Sequence, residues 1–275
     1  KATQMNDLTK IGFEIHTPSR DVKDYVQAIW FAENPVNSQS LTFKLMSDAG
    51  STVAMNFGDE LSFKRRNDLI KAKHECITSG PSTDPLYISF KGKINAIGIN
   101  FHPEYAHMFF GKNMVDLSNK LIKTTSDHFS MIDQLYSNLL SSTAYGQNRK
   151  SIVSIIERYI LEVLNCSKYT PNKILVLAMN DLTENYNISL TDLSANAHIS
   201  MREMQRIFKK FAGVSPKKFM RLSRVRDMKD KLSRNELTTL SDLAVIGGYF
   251  DQAHITREFR HFFDDTPESY YKLKN

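Results

Sequence analysis

At 275 residues, with 41% hydrophobic and 24% charged content, the chain has the makeup of a globular protein of one large domain or two ordinary ones. No apolar run reaches the ~18 residues that a membrane span requires, and two cysteines, Cys76 and Cys166, make no disulfide framework. The net charge of +6 is unevenly spread: residues 201–234 carry twelve basic residues against three acidic ones, a local net of +9, which favours a polyanionic partner.

The opening "KATQMNDLTK" has no signal-peptide apolar core, and a reducing, cytoplasmic setting is expected. From about Ser19, Val22, Tyr25, Val26 and Ile29 stand at helical spacing and predict a helix. Strands follow. "LTFKL" puts Leu41, Phe43 and Leu45 on one side, "TVAMNF" does so with Val53, Met55 and Phe57, and "LYISF" with Leu86, Ile88 and Phe90. "KGK" at 91–93 turns into the next strand, "INAIGINF", and a short helix is expected after Pro103. Alternating strands with short turns predict an antiparallel β-sandwich or small barrel over residues 1–127.

From about Phe129 the period changes. Met131, Ile132, Leu135 and Leu139 predict one helix, and Ile152, Ile155, Ile156, Tyr159, Ile160, Val163 and Leu164 a second, giving a helical pair at 128–165. Its stripe can pack on the chain's own sheet or pair with a second copy. On the second reading Ile152, Ile156, Tyr159, Ile160 and Val163 are candidate dimer contacts. "CSKYTPNK", 166–173, reads as a linker, and everything from 174 to 275 is helical in period.

That last segment contains a repeat. "LTDLSANAHI" aligns with "LSDLAVIGGY" at an offset of 50, and "SMREMQRIFKKFAGVSPKKF" with "DQAHITREFRHFFDDTPESY" at 51, Phe250 being the extra residue. Each half reads helix, short turn, helix, capped helix, so two helix-turn-helix units are expected at about 188–211 and 239–263. Ser200 and Asp251 are the expected N-caps of the second helices, with Glu203 completing a capping box in the first. Gly247 and Gly248 supply the turn in the second copy, whereas His198 in the first needs a positive φ.

Met204, Ile207, Phe208 and Phe211 form the core face of the first such helix, and Ile255, Phe259, Phe262 and Phe263 that of the second. Outward remain Met201, Arg202, Gln205, Arg206 and Lys209, and Gln252, Ala253, His254, Thr256 and Arg257. Gln and Arg pair with adenine and guanine edges, and Ala or a Thr methyl meets a thymine methyl. Lys209 and the helix N-termini suit phosphate. The connecting segment buries Phe219, Leu222, Val225, Met228 and Leu232, so a long helix holds the two reading helices in fixed relation.

"FKKFAGVSPKKFMR", "SRVRDM" and "LAVIGGYFDQAHITREFRHFFDDTPESY" resemble the DNA-binding domain of the AraC/XylS family of bacterial transcription regulators. The family usually has Gly where Asp264 stands and often an aromatic where Ile255 stands. The resemblance implies base or phosphate contacts at Arg202, Gln205, Arg206, Gln252, His254, Thr256 and Arg257. "VKDYVQAIWF", "LMSDAGSTVAMNFGD" and "AIGINFHPEYAHMFFG" look, more loosely, like the family's cupin-like regulatory domain, which binds a small effector, dimerises, or both. The expected architecture is α+β: a strand-rich domain with helices, then an all-α domain of two helix-turn-helix units. The expected partner is double-stranded promoter or operator DNA. RNA polymerase, a small-molecule effector and a second copy of the chain are further candidates; no cofactor and no membrane are expected.

Other chemistries are weaker. Asp251, His254 and Glu258 share a helix face as metal ligands would, but the repeat makes Asp251 a cap. His102, Glu104 and His107 in "FHPEYAH" straddle a strand-to-helix junction, and adjacent residues of "HEC" face opposite ways on a strand. A DNA-repair enzyme can carry this helical domain beside a reactive cysteine, yet Glu75 disfavours a thiolate at Cys76. A non-specific architectural DNA binder would have little need of Gln, His and Thr on the outward faces.

Overall fold

The computed structural model describes residues 8–35, 40–124, 126–144, 148–185, 187–234 and 251–274. The front of the chain is a two-sheet antiparallel sandwich. Strands β1 (Glu14–His16), β2 (Val26–Asn34), β4 (Ser51–Asn56), β7 (Cys76–Ser79), β9 (Ile94–Phe101) and β10 (Leu121–Thr124) form a six-stranded sheet in the order β1-β2-β9-β4-β7-β10. Strands β3 (Leu41–Leu45), β5 (Glu60–Arg65), β6 (Asp68–Ala72) and β8 (Leu86–Lys91) form the second, in the order β3-β8-β5-β6.

The period-2 geometry of a strand sends alternate residues into two different cores. Trp30, Ala32, Ala54, Ile77 and Ala96 of the larger sheet meet Phe43, Leu61, Phe63, Ile88 and Phe90 of the smaller one between the sheets. The alanines leave room for the opposing aromatic rings, and a Cβ on Gly98 would overlap the Trp30 indole. The intervening residues Ile29, Phe31, Val53, Met55, Ile97, Ile99 and Phe101 form the second core, under the helices. Those helices are α1 (Ala106–Phe110), α2 (Ser126–Ala144) and α3 (Arg149–Cys166).

Two expectations are overturned here. The segment from Ser19 is a turn at 20–25 followed by strand β2, not a helix. The amide of Val26 does reach the Val22 carbonyl, an i+4 bond at 2.9 Å, but the turn goes no further. From Val26 the chain pairs with β9 and, from Ile29, also with β1. A strand buried on both faces has a nearly continuous apolar run, which mimics helical spacing. The second correction concerns Ile152, Ile156, Tyr159, Ile160 and Val163. All five are buried by the chain itself, against α2 and the larger sheet, so they are core residues and not a face open to a second copy. Met131 also leaves its expected stripe and is exposed, while Ile132, Leu135 and Leu139 are buried.

The tail consists of α4 (Lys173–Glu184), α5 (Leu190–Asn196), α6 (Met201–Ile207, continued by a π turn at Phe208–Ala212), α7 (Pro216–Ser233), α8 (Gln252–Phe263) and α9 (Pro267–Lys274), numbered among the described residues. They share one core built from Leu175, Leu182, Leu193, Met204, Phe208, Leu222, Val225, Phe259, Phe262 and Phe263. Gly247, Gly248, Phe250 and the first helix expected for the second unit lie outside the described residues.

Candidate nucleic-acid interface

The first unit packs α5 against α6 through a turn at His198, whose φ of 53° is the left-handed conformation its position demanded. Ser200 caps α6 by accepting a bond from the Glu203 amide at 3.2 Å, and Asp251 caps α8 by accepting from the His254 amide at 2.6 Å. Each such cap stabilises its helix by about 1 kcal/mol. Ser215 and Thr266 cap the helices that follow, accepting from the Lys218 and Ser269 amides. The second and third helices of the two halves are thus capped alike.

Burial separates the faces of both reading helices. On α6, Met204 and Ile207 are buried, while Met201, Arg202, Gln205 and Arg206 are exposed, as is Lys209 in the π turn. On α8, Ile255, Phe259, Phe262 and Phe263 are buried; Gln252, Ala253 and Arg257 are exposed, and His254 and Thr256 half-buried. The Thr256 hydroxyl donates to the Gln252 carbonyl at 2.9 Å, so its methyl is the part left to face a partner. Glu203 departs from the expected capping box: its carboxylate accepts two bonds from the Arg206 guanidinium, at 2.8 and 2.5 Å. That pairing holds the Glu203 carboxyl below its usual range.

The basic block is partly structural. Arg206, Arg221, Lys229 and Lys231 each face a carboxylate. Arg221 on α7 makes the consequential contact, with two bonds to Glu258 of α8 at 2.8 and 2.6 Å. Glu258 is only 7% exposed. Burial opposes its ionisation, and the Arg221 bonds overcome that, with help from the charges of Arg221, His254 and His261. Its carboxyl therefore sits below the usual range. The alignment of the repeat contained the signal for this clamp: a carboxylate stands where the other copy has Ile207, a buried position, and so requires a cation.

Both reading helices end in left-handed turns at repeat-equivalent positions, Gly213 (φ 73°) and Asp264 (φ 49°). A Cβ on Gly213 would lie 2.8 Å from the Met114 carbonyl oxygen and clash with Pro81 of the front domain. Ser118 of the front domain donates to the Gly213 carbonyl. Lys44 donates to the Asp264 carbonyl at 3.2 Å, and the Tyr87 hydroxyl to the Asp264 carboxylate.

The sites weighed for other chemistry are accounted for. His107 is fully buried, with Nε2 3.1 Å from the Thr170 carbonyl and its ring edge-on to Phe211. His102 lies 4.0 Å from Glu104. Cys76 is buried, and burial, then Asp133 and Glu75, pushes its thiol well up, away from the thiolate that a nucleophile needs.

Residues 193–272 match the model of a helix-turn-helix domain, and residues 14–123 match a domain of unknown function, DUF6597. Over 99 residues, 36% of this chain, the sequence is 29% identical to the probable transcription factor PqrA of Proteus vulgaris, covering 80% of that protein. ToxT from Vibrio cholerae is similar over 86% of this chain and 98% of its own, with 9% identity and a TM-score of 0.49. A protein described as a probable AraC family transcriptional regulator from Rhodopseudomonas palustris is similar over 38% of this chain and 99% of its own, with 22% identity and a TM-score of 0.35. The helix-turn-helix match and the likeness to a probable transcription factor support a DNA-binding transcription regulator. Through residues 193–272 the chain is similar to AraC-type regulators.

Proposed function

We propose that this regulator is sequence-specific, and that α6 and α8 read adjacent major-groove segments on one face of the duplex. Arg202, Gln205 and Arg206 serve the first segment. Gln252, Ala253, His254, Thr256 and Arg257 serve the second, with Lys209 and the capped N-termini on phosphates. The observation that carries this reading is the pair of capped helices, each with a buried aromatic-rich face and an outer face of long amide and guanidinium side chains. Glu203 holds Arg206 beforehand, which limits the rotamer freedom lost on pairing with a base. The front domain governs the tail through its contacts at Gly213 and Asp264, and a small-molecule effector acts through it.

In vitro selection of duplexes with the full chain should return two short conserved elements about one helical turn, ~34 Å, apart. On the selected site, Arg206→Ala should weaken binding by about 1–3 kcal/mol and relax one base position. Lys209→Ala should weaken selected and random DNA alike and lower the salt dependence. Arg206→Ala losing equally on every sequence would sink this division of roles. Selection returning no consensus would favour a purely electrostatic, architectural binder.

A further inference from the structure

A sheet face covered by another domain is ordinarily apolar, because burial of apolar surface is what holds the layers together. The outer face of the four-stranded sheet breaks this rule where it faces the end of α8. Thr42, Ser89 and Ser62 stand in register across β3, β8 and β5, and one step along stand Lys44, Tyr87 and Lys64. Between this floor and Arg260, His261 and Asp264 of the tail lies a cleft of about 760 Å³, within the size range of small-molecule sites. The two domains touch at its rim, through Tyr87 and Lys44, and do not close over its middle.

The charges in the cleft do not cancel within the protein. Arg66 is paired with Asp84 at 2.7 Å, Lys44 with Asp265 at 3.6 Å, and the Asp264 carboxylate accepts from Tyr87. Lys64 from the front domain and Arg260 from α8 have no ion pair among the described residues; the Tyr87 hydroxyl leaves the Asp264 charge in place, so the lining keeps one positive charge in excess, with a cation from each side. The Thr42 and Ser89 hydroxyls share a bond of 2.7 Å, and hydroxyls both donate and accept, which suits a ligand that does the same.

We propose that this cleft binds a small polyhydroxylated anion, a sugar phosphate or sugar acid. Its charge is held between Lys64 and Arg260, and its hydroxyls lie on Thr42, Ser62 and Ser89. Such a ligand bridges the sandwich to the second reading helix. Its regulatory consequence rests on the proposed function, but its binding does not.

The test is calorimetric titration of the full chain, without DNA, by glucose 6-phosphate, gluconate, glucose, inorganic phosphate and octanoate. Glucose 6-phosphate or gluconate should bind, and whichever is tighter separates the phosphate ester from the acid. Glucose and octanoate should not bind, and inorganic phosphate should bind more weakly. Lys64→Gln and Arg260→Gln should each weaken the winning ligand by at least about tenfold. The proposal falls if neither sugar anion binds, if octanoate binds in preference, if inorganic phosphate binds as tightly, or if both substitutions leave the affinity unchanged. Duplex selection with the ligand-free chain is scored separately, so either reading can fail while the other stands.

Discussion

At the scale of single residues, the second reading helix depends on one ion pair. Arg221 and Glu258 join α7 to α8, and the carboxylate is nearly sealed from water. Removing one member leaves the other half-desolvated. Glu258→Gln should lower unfolding free energy by about 1–3 kcal/mol in urea titration. Arg221→Leu combined with Glu258→Leu should cost less than the two single changes added, because no orphaned charge remains. Since the folded carboxyl titrates below the unfolded one, the pair's contribution is complete above the ordinary Glu value of about 4.3. It is lost as pH falls through the lower folded value. The residues of the proposed DNA face were legible in the sequence because the repeat revealed which positions are buried in both copies. The repeat marked Glu258 as a carboxylate at a buried position, but not its partner, because Arg221 lies 37 positions away.

Among the secondary-structure elements, α3 shows how far periodicity carries. Its stripe was read correctly as a helix with one apolar face, yet periodicity cannot say what covers that face. The chain covers it, with α2, α1 and the larger sheet. Ile156→Asn should therefore destabilise the fold by about 2–5 kcal/mol, the cost of a lost core side chain together with a buried amide. Chemical denaturation with sedimentation decides this: a well-folded monomer released from a dimer would contradict it. Strands β3, β4, β8 and β9 were legible through alternation and the turn at Gly92. Strand β2 was misread for the opposite reason, being apolar on both faces, so that the polar half of the alternation is missing. Strands β5, β6 and β7 lacked a clean alternating signature and became evident only through their pairing.

For the whole molecule, the front domain and the tail meet at His107, at Ser118 and Gly213, and at Tyr87, Lys44 and Asp264. His107 packs between the linker carbonyl of Thr170 and Phe211 of the first unit. Burial lowers its pKa, against the Thr170 and Glu104 backbone contacts, and nearby Lys210 adds to the lowering. A histidine held neutral in the fold contributes fully above the unfolded value of about 6.5 and progressively less as pH falls toward the folded value. Thermal unfolding of the full chain should therefore weaken between pH 7.5 and 5.5, and His107→Gln should remove part of that dependence. A midpoint with the same pH dependence in both proteins would show that His107 does not carry it.

The two left-handed turns leave a further consequence. At Gly213 and Asp264 the front domain holds a backbone carbonyl. A main-chain oxygen is present whatever residue occupies the position, so the hydrogen bonds themselves place little demand on sequence. The surroundings do: Pro81 and Met114 crowd position 213 and leave room only for glycine, whereas position 264 accommodates an aspartate. The aspartate then gained a use of its own, as acceptor for the Tyr87 hydroxyl.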